Sequence, residues 1–95
     1  MNKRIAIIGG GNLGVAIAEG LINSGFSAPG DILVTRRNVK VLQFLKDKGV
    51  QVSDDNKEAV RFADLLILAV KPFQAEEIMV SLKDELDAKR HVLVS

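Results

Sequence analysis

The chain alternates short apolar runs with segments of helical period. Arg4 to Ile8 carries a continuous apolar run closed by glycines, the pattern of a parallel strand buried on both faces. Leu13 to Ile22 places Leu13, Ala16, Ile17 and Leu21 at helical spacing, and Asn23, Ser24 and Gly25 suit a helix C-terminus. Ser27 to Gly30 predicts a turn, and Asp31 to Thr35 a second strand. A second helix is expected over Asn38 to Lys48, with Val39, Leu42 and Leu45 on one face and Gly49 past its end. Val50 to Val52 predicts a short third strand. Ser53 to Asn56 is a polar loop in which Asp55 or Asn56 caps a short helix reaching Ala63. Leu65 to Val70 (LLILAV) predicts a fourth buried strand, broken at Lys71 and Pro72. Ala75 to Leu86 then reads as an amphipathic helix with Ile78, Met79, Leu82 and Leu86 inward, and His91 to Val94 as a fifth strand.

Repeated strand and helix segments predict βαβ units. The expected fold is therefore α/β: a Rossmann-like, doubly wound sheet of about five parallel strands, with helices on both faces in three α/β/α layers. A sheet of this kind usually has six strands. Ending on an apolar strand leaves surface near His91 to Val94 uncovered, so the expectation is one dinucleotide-binding domain over 1–95, part of a longer protein. Composition agrees with one packed domain: 95 residues, 47% hydrophobic and 26% charged. The net charge of +1, with signs interleaved, argues against a nucleic-acid footprint. No apolar run approaches a membrane span, and the early glycines argue against a signal peptide. Cysteine is absent, which removes thiol nucleophiles and zinc–cysteine sites and fits a reducing, cytoplasmic setting.

The chemistry concentrates at two places. Gly9-Gly10-Gly11-Asn12-Leu13-Gly14 matches G-x-G-x-x-G between an apolar strand and a helix, the context that gives this short motif its weight. Gly9 permits the tight turn, Gly11 lets backbone N–H groups approach a pyrophosphate, and Gly14 lets the helix sit close to the sheet. The helix N-terminus adds unpaired N–H groups and partial positive charge. No Lys-Ser/Thr follows the glycines, which excludes a Walker loop. The second place is LVTRRN, Leu33 to Asn38. A NAD-selective strand tip carries an acid for the ribose hydroxyls; here stand Thr35, Arg36, Arg37 and Asn38. Arginine forks match phosphate oxygens, so the tip predicts a 2′-phosphate and NADP(H), with NAD(H) as the alternative. Against this, either arginine could be an ordinary solvated charge.

Together with ADLLILAVKPF and HVLVS, these segments make the whole chain resemble the N-terminal domain of the pyrroline-5-carboxylate reductases. Those enzymes reduce the cyclic imine pyrroline-5-carboxylate to proline with NAD(P)H. The resemblance implies that Gly9, Gly11, Asn12, Leu13 and Gly14 hold the pyrophosphate. It implies that Thr35, Arg36, Arg37 and Asn38 face the adenosine ribose and its phosphate, and that Asn56 lies beside that ribose. Ala69, Val70, Lys71 and Pro72 would form the loop on the nicotinamide side. It also implies a helical C-terminal domain, beyond this chain, that binds the imine and joins copies into a homo-oligomer. No catalytic residue or metal ligand is assigned within the chain, which is expected to bind cofactor without turnover alone.

Other residues carry less. Lys71 could touch the cofactor or a substrate carboxylate, or be a solvated lysine packed by its stem. His91 has no partner acid or nucleophile nearby in sequence and reads as structural or surface. Asp54, Asp55 and Glu58 fit no calcium loop and read as a solvated loop and cap. Ile78, Met79 and Leu82 read as core, and Lys83 to Arg90 as a solvated helix face. Two rival functions remain: the cofactor domain of another reductase of the superfamily (a hydroxyacid dehydrogenase or a cofactor-F420-linked NADP reductase) and a stand-alone nucleotide-binding module.

Overall fold

A computed structural model describes residues 3–70, 72–83 and 92–94. Its elements are β1 (Ile5–Ile8), α1 (Asn12–Asn23), β2 (Ile32–Thr35), α2 (Gln43–Asp47), β3 (Gln51–Ser53), α3 (Asn56–Phe62), β4 (Leu65–Leu68), α4 (Pro72–Leu82) and β5 (Val92–Val94). Single 3₁₀ turns, Pro29–Asp31 and Val39–Leu42, precede β2 and α2. The five strands form one parallel sheet in the order β3-β2-β1-β4-β5. The chain winds outward one way from β1 to β3, then crosses back to β4 on the other side of β1. The reversal between β1 and β4 opens a crevice at the carboxyl ends of these strands, where ligands bind in such sheets.

Both faces of the sheet are covered, and that is why its strands read as unbroken apolar runs. Ile5, Ile7, Ile32 and Val34 point to one face and pack with Ala18, Leu42, Leu45 and Val50, so α1 and α2 cover that side. Ala6, Ile8, Leu33, Leu66 and Leu68 point to the other and pack with Ala59, Val60, Ala63 and Leu82 of the α3 and α4 layer. Each fully buried Leu or Ile here contributes about 1.5–3 kcal/mol relative to an exposed one.

Several boundaries differ from expectation, each for a local reason. The second helix is not continuous from Asn38. Asn38 Oδ1 accepts a hydrogen bond from the Lys40 N–H at 3.2 Å, which winds Val39–Leu42 into a 3₁₀ turn before α2 begins. Leu42 and Leu45 both remain buried. β2 starts at Ile32 because Pro29–Asp31 forms a 3₁₀ turn whose Ile32 N–H bonds back to the Pro29 carbonyl. β4 stops at Leu68, short of Val70. Pro72 does not merely end the strand; it opens α4, where its fixed φ and missing N–H suit a first helical turn. In α1 the inward stripe runs through Gly14 and Ala18, while Leu13 and Ala16 face outward. Ile78 and Met79 pack against the core and Leu82 is buried, as expected. Leu86, His91 and the segment 84–90 lie outside the described residues.

Candidate cofactor site

The crevice at the switch point is an open cleft of about 790 Å³. Four chain segments build its floor and walls: the exits of β1, β2 and β3, and the exit of β4 together with α4. Gly9 sits at the first exit with φ +107°, a conformation that side chains rarely adopt. A Cβ there would lie 2.6 Å from the Ala69 carbonyl oxygen and from Val70 Cγ1. The glycine loop and the β4 exit are therefore in direct contact, and only glycine permits it. Gly14 is buried, and a Cβ on it would run into the Gly9 carbonyl oxygen. At Gly11 a Cβ would meet nothing within 4 Å; that position opens into the cleft.

The start of α1 supplies donors. Gly11 is its N-cap, has no side chain to satisfy the helix end, and accepts the Val15 N–H at 2.9 Å. The N–H groups of Asn12, Leu13 and Gly14 carry no hydrogen bond among the described residues. No acid stands in the first turn. Free N–H groups and the positive helix end together can hold phosphate oxygens.

β2 braces this loop. The Thr35 carbonyl accepts from the Gly9 N–H at 3.2 Å and the Gly10 N–H at 2.7 Å. Its buried hydroxyl donates to Asn56 Oδ1 at 2.7 Å. The Arg36 N–H bonds the Ser53 carbonyl at 3.0 Å, extending the β2–β3 ladder. Arg36 Nη1 turns back to donate to the Gly10 carbonyl at 2.9 Å. Arg37 makes no hydrogen bond or ion pair among the described residues, and both arginines line the cleft. The two arginines are thus unlike: one braces the loop and the other is uncommitted.

The sequence-predicted residues largely converge. Gly9, Gly11, Asn12 and Leu13 line the cleft, with Thr35, Arg36, Arg37, Asn56, Ala69 and Val70. Gly14 lies behind the loop. Asn38 is outside the lining and caps the 3₁₀ turn instead. The N-cap of α3 is Asp55, whose carboxylate accepts from the Lys57 N–H at 2.9 Å, and this frees Asn56 to face Thr35. Lys71 is outside the described residues, as is the Pro72 side chain. Sequence reasoning missed Gly10, Asp54, Gln74, Glu77 and Ile78, which also line the cleft. Gly10 rests on Leu42 and Val34, where a Cβ would come within 3.0 and 3.1 Å of their methyls. The i, i+3 and i+4 spacing of Gln74, Glu77 and Ile78 could have marked them as one helix face. Nothing local distinguishes Asp54.

Residues 4–95 match the model of the family described as NADP oxidoreductase coenzyme F420-dependent. The chain belongs to that family. Among individual relatives it is 43% identical over 95 residues to pyrroline-5-carboxylate reductase 2 of Dictyostelium discoideum, covering 99% of this chain and 31% of that protein. It is 37% identical over 93 residues to pyrroline-5-carboxylate reductase of Methanosarcina acetivorans, covering 97% of this chain and 34% of that one. A solved pyrroline-5-carboxylate reductase from Coxiella burnetii superposes with TM-score 0.84 at 37% identity, over 99% of this chain and 36% of its own. The resemblance read from the sequence is borne out. The chain spans about a third of the length of these relatives.

Proposed function

We propose that the chain is the NADP(H)-binding domain of a pyrroline-5-carboxylate reductase. The observation that carries this reading is the shared cleft: a helix N-terminus with no side-chain cap beside a strand tip that has two arginines and no acid. In this reading Gly9, Gly11, Asn12, Leu13 and Gly14 hold the pyrophosphate. Thr35, Arg36 and Arg37 serve the adenosine ribose, with Asn56 beside it, while Asn38 caps the turn that follows. Ala69, Val70, Lys71 and Pro72 form the nicotinamide side. Arg37, with all five donors uncommitted, is the main clamp for a 2′-phosphate, and Arg36 adds the donors left after its bond to Gly10. These groups fit a dinucleotide better than a mononucleotide, because the cleft runs from the β2 exit past the glycine loop to the β4 exit.

Bound here, NADPH supplies a hydride for a C=N bond. In this reading this chain's own residues position that hydride. A further helical domain, which the relatives' greater length leaves room for, holds the imine and joins copies of the enzyme in the cytoplasm. The test is to express the full reading frame that contains this chain and to supply pyrroline-5-carboxylate with NADPH. Proline formation with matching loss of NADPH absorbance is expected. The family model's description favours one rival, exchange of a hydride between NADP and coenzyme F420. NADPH-dependent F420 reduction without proline formation would establish the rival.

A further inference from the structure

We infer that Thr35 is a positioning residue: its hydroxyl fixes the Asn56 carboxamide so that the amide N–H groups, not the carbonyl, face the bound nucleotide's sugar or sugar-phosphate oxygens. This rests on the cofactor reading above.

The inference follows from donor and acceptor accounting. Thr35 is 2% exposed, so its hydroxyl hydrogen needs a partner within the protein. Its own carbonyl cannot serve; it already takes two glycine N–H groups. The hydroxyl donates to Asn56 Oδ1 and makes no other hydrogen bond among the described residues. A flipped Asn56 would turn Nδ2 toward the hydroxyl oxygen, which can accept, but the buried hydroxyl hydrogen would then be orphaned. That asymmetry selects one orientation of an otherwise symmetric-looking amide.

The opposite end of Asn56 is left for a ligand. Nδ2 has no partner among the described residues and is not buried, and Asn56 lines the cleft with Arg36 and Arg37. Asn56 is the first residue of α3, and the Asp55 cap fixes the backbone of that helix start, which leaves the Thr35 hydroxyl to hold the amide itself. All three side chains then offer donors to the same volume, suited to an acceptor-rich ligand such as a phosphorylated ribose. One threonine therefore ties together the glycine loop, through its carbonyl, and the amide that meets the sugar, through its hydroxyl.

The test is a double-mutant cycle read by NADPH titration, using nicotinamide fluorescence, with the folded fraction of each variant checked by circular dichroism. Thr35→Val and Asn56→Ala should each weaken NADPH binding by about tenfold, and the double variant should be no weaker than Asn56→Ala alone. Thr35→Ser, which keeps the hydroxyl, should restore most of the loss. Asn56→Asp still accepts from Thr35 but turns an anionic oxygen to the cleft, so it should weaken NADPH at least as much as Asn56→Ala. Additive losses in the cycle, or native affinity in Asn56→Asp, would overturn the inference while leaving the cofactor reading intact. A native chain with no affinity for NADPH would overturn both.

Discussion

Gly9→Ala puts the glycine-loop geometry under the most direct strain. Two separate costs apply. At φ +107° an alanine lies outside the regions open to a Cβ-bearing residue, a strain of about 1–3 kcal/mol. Its Cβ would also stand 2.6 Å from the Ala69 carbonyl oxygen and from Val70 Cγ1, inside the 3.0 Å that real Cβ atoms essentially never cross. The first of these is backbone, held by the Ala69 N–H bond to the Ile8 carbonyl at 2.8 Å, so it cannot simply rotate away. Forced displacement of this kind costs about 1–3 kcal/mol. The sum is about 2–6 kcal/mol, a large fraction of the ~5–15 kcal/mol that holds a domain folded. Gly20→Ala is the control. It lies in α1 with nothing within 4 Å of its Cβ, so it should gain about 0.5–1 kcal/mol of helix stability. In urea, with a slope of about 2 kcal/mol per molar, Gly9→Ala should lower the midpoint by roughly 1–3 M and Gly20→Ala should raise it by a few tenths. A Gly9→Ala midpoint equal to the native one would refute the contact between the glycine loop and the β4 exit.

Arg37→Ala should weaken NADPH binding by about 1–3 kcal/mol, the scale of a charge-assisted hydrogen bond to phosphate, and should leave NADH nearly unchanged; paired fluorescence titrations read the difference. The NADPH affinity of the native chain should fall with added salt, and that of Arg37→Ala should fall less steeply. Asp55→Ala removes the side-chain cap of α3 and should cost about 0.5–2 kcal/mol in a urea melt. Leu66→Ala, at 0% exposure in the central sheet, should cost about 2–5 kcal/mol by the same measurement.

What the sequence made legible is what one-dimensional pattern encodes. β1, β2 and β4 stand out because both faces of a parallel strand are covered, so their positions are apolar except Thr35 at the end of β2. The glycine loop stands out because close backbone approach permits no other residue at Gly9 and Gly14. The five-stranded sheet follows from these plus the crossover rule. Features set by tertiary contact were not legible. Nothing in TRRN says that Arg36 folds back onto the Gly10 carbonyl while Arg37 stays uncommitted. The outward turn of Leu13 follows from Gly14 having to face Gly9, a constraint visible only when both ends of the loop are placed. Asp55 and Asn56 are equivalent caps by composition, and the Thr35 hydroxyl, from a strand 21 residues earlier, assigns Asn56 to the cleft instead. Asp54, Gln74 and Glu77 carry no motif; they reach the cleft because β3 and β4 end beside it.

The central claim is that this domain binds NADP(H) through the glycine loop and the β2 arginines. The measurement that tests it most directly is a paired titration of the native chain with NADPH and NADH at fixed salt, following nicotinamide fluorescence. NADPH should bind more tightly by about tenfold, or roughly 1.4 kcal/mol. Equal affinities would remove the 2′-phosphate role from Arg36 and Arg37, and absence of binding by both cofactors would contradict the account of the cleft itself.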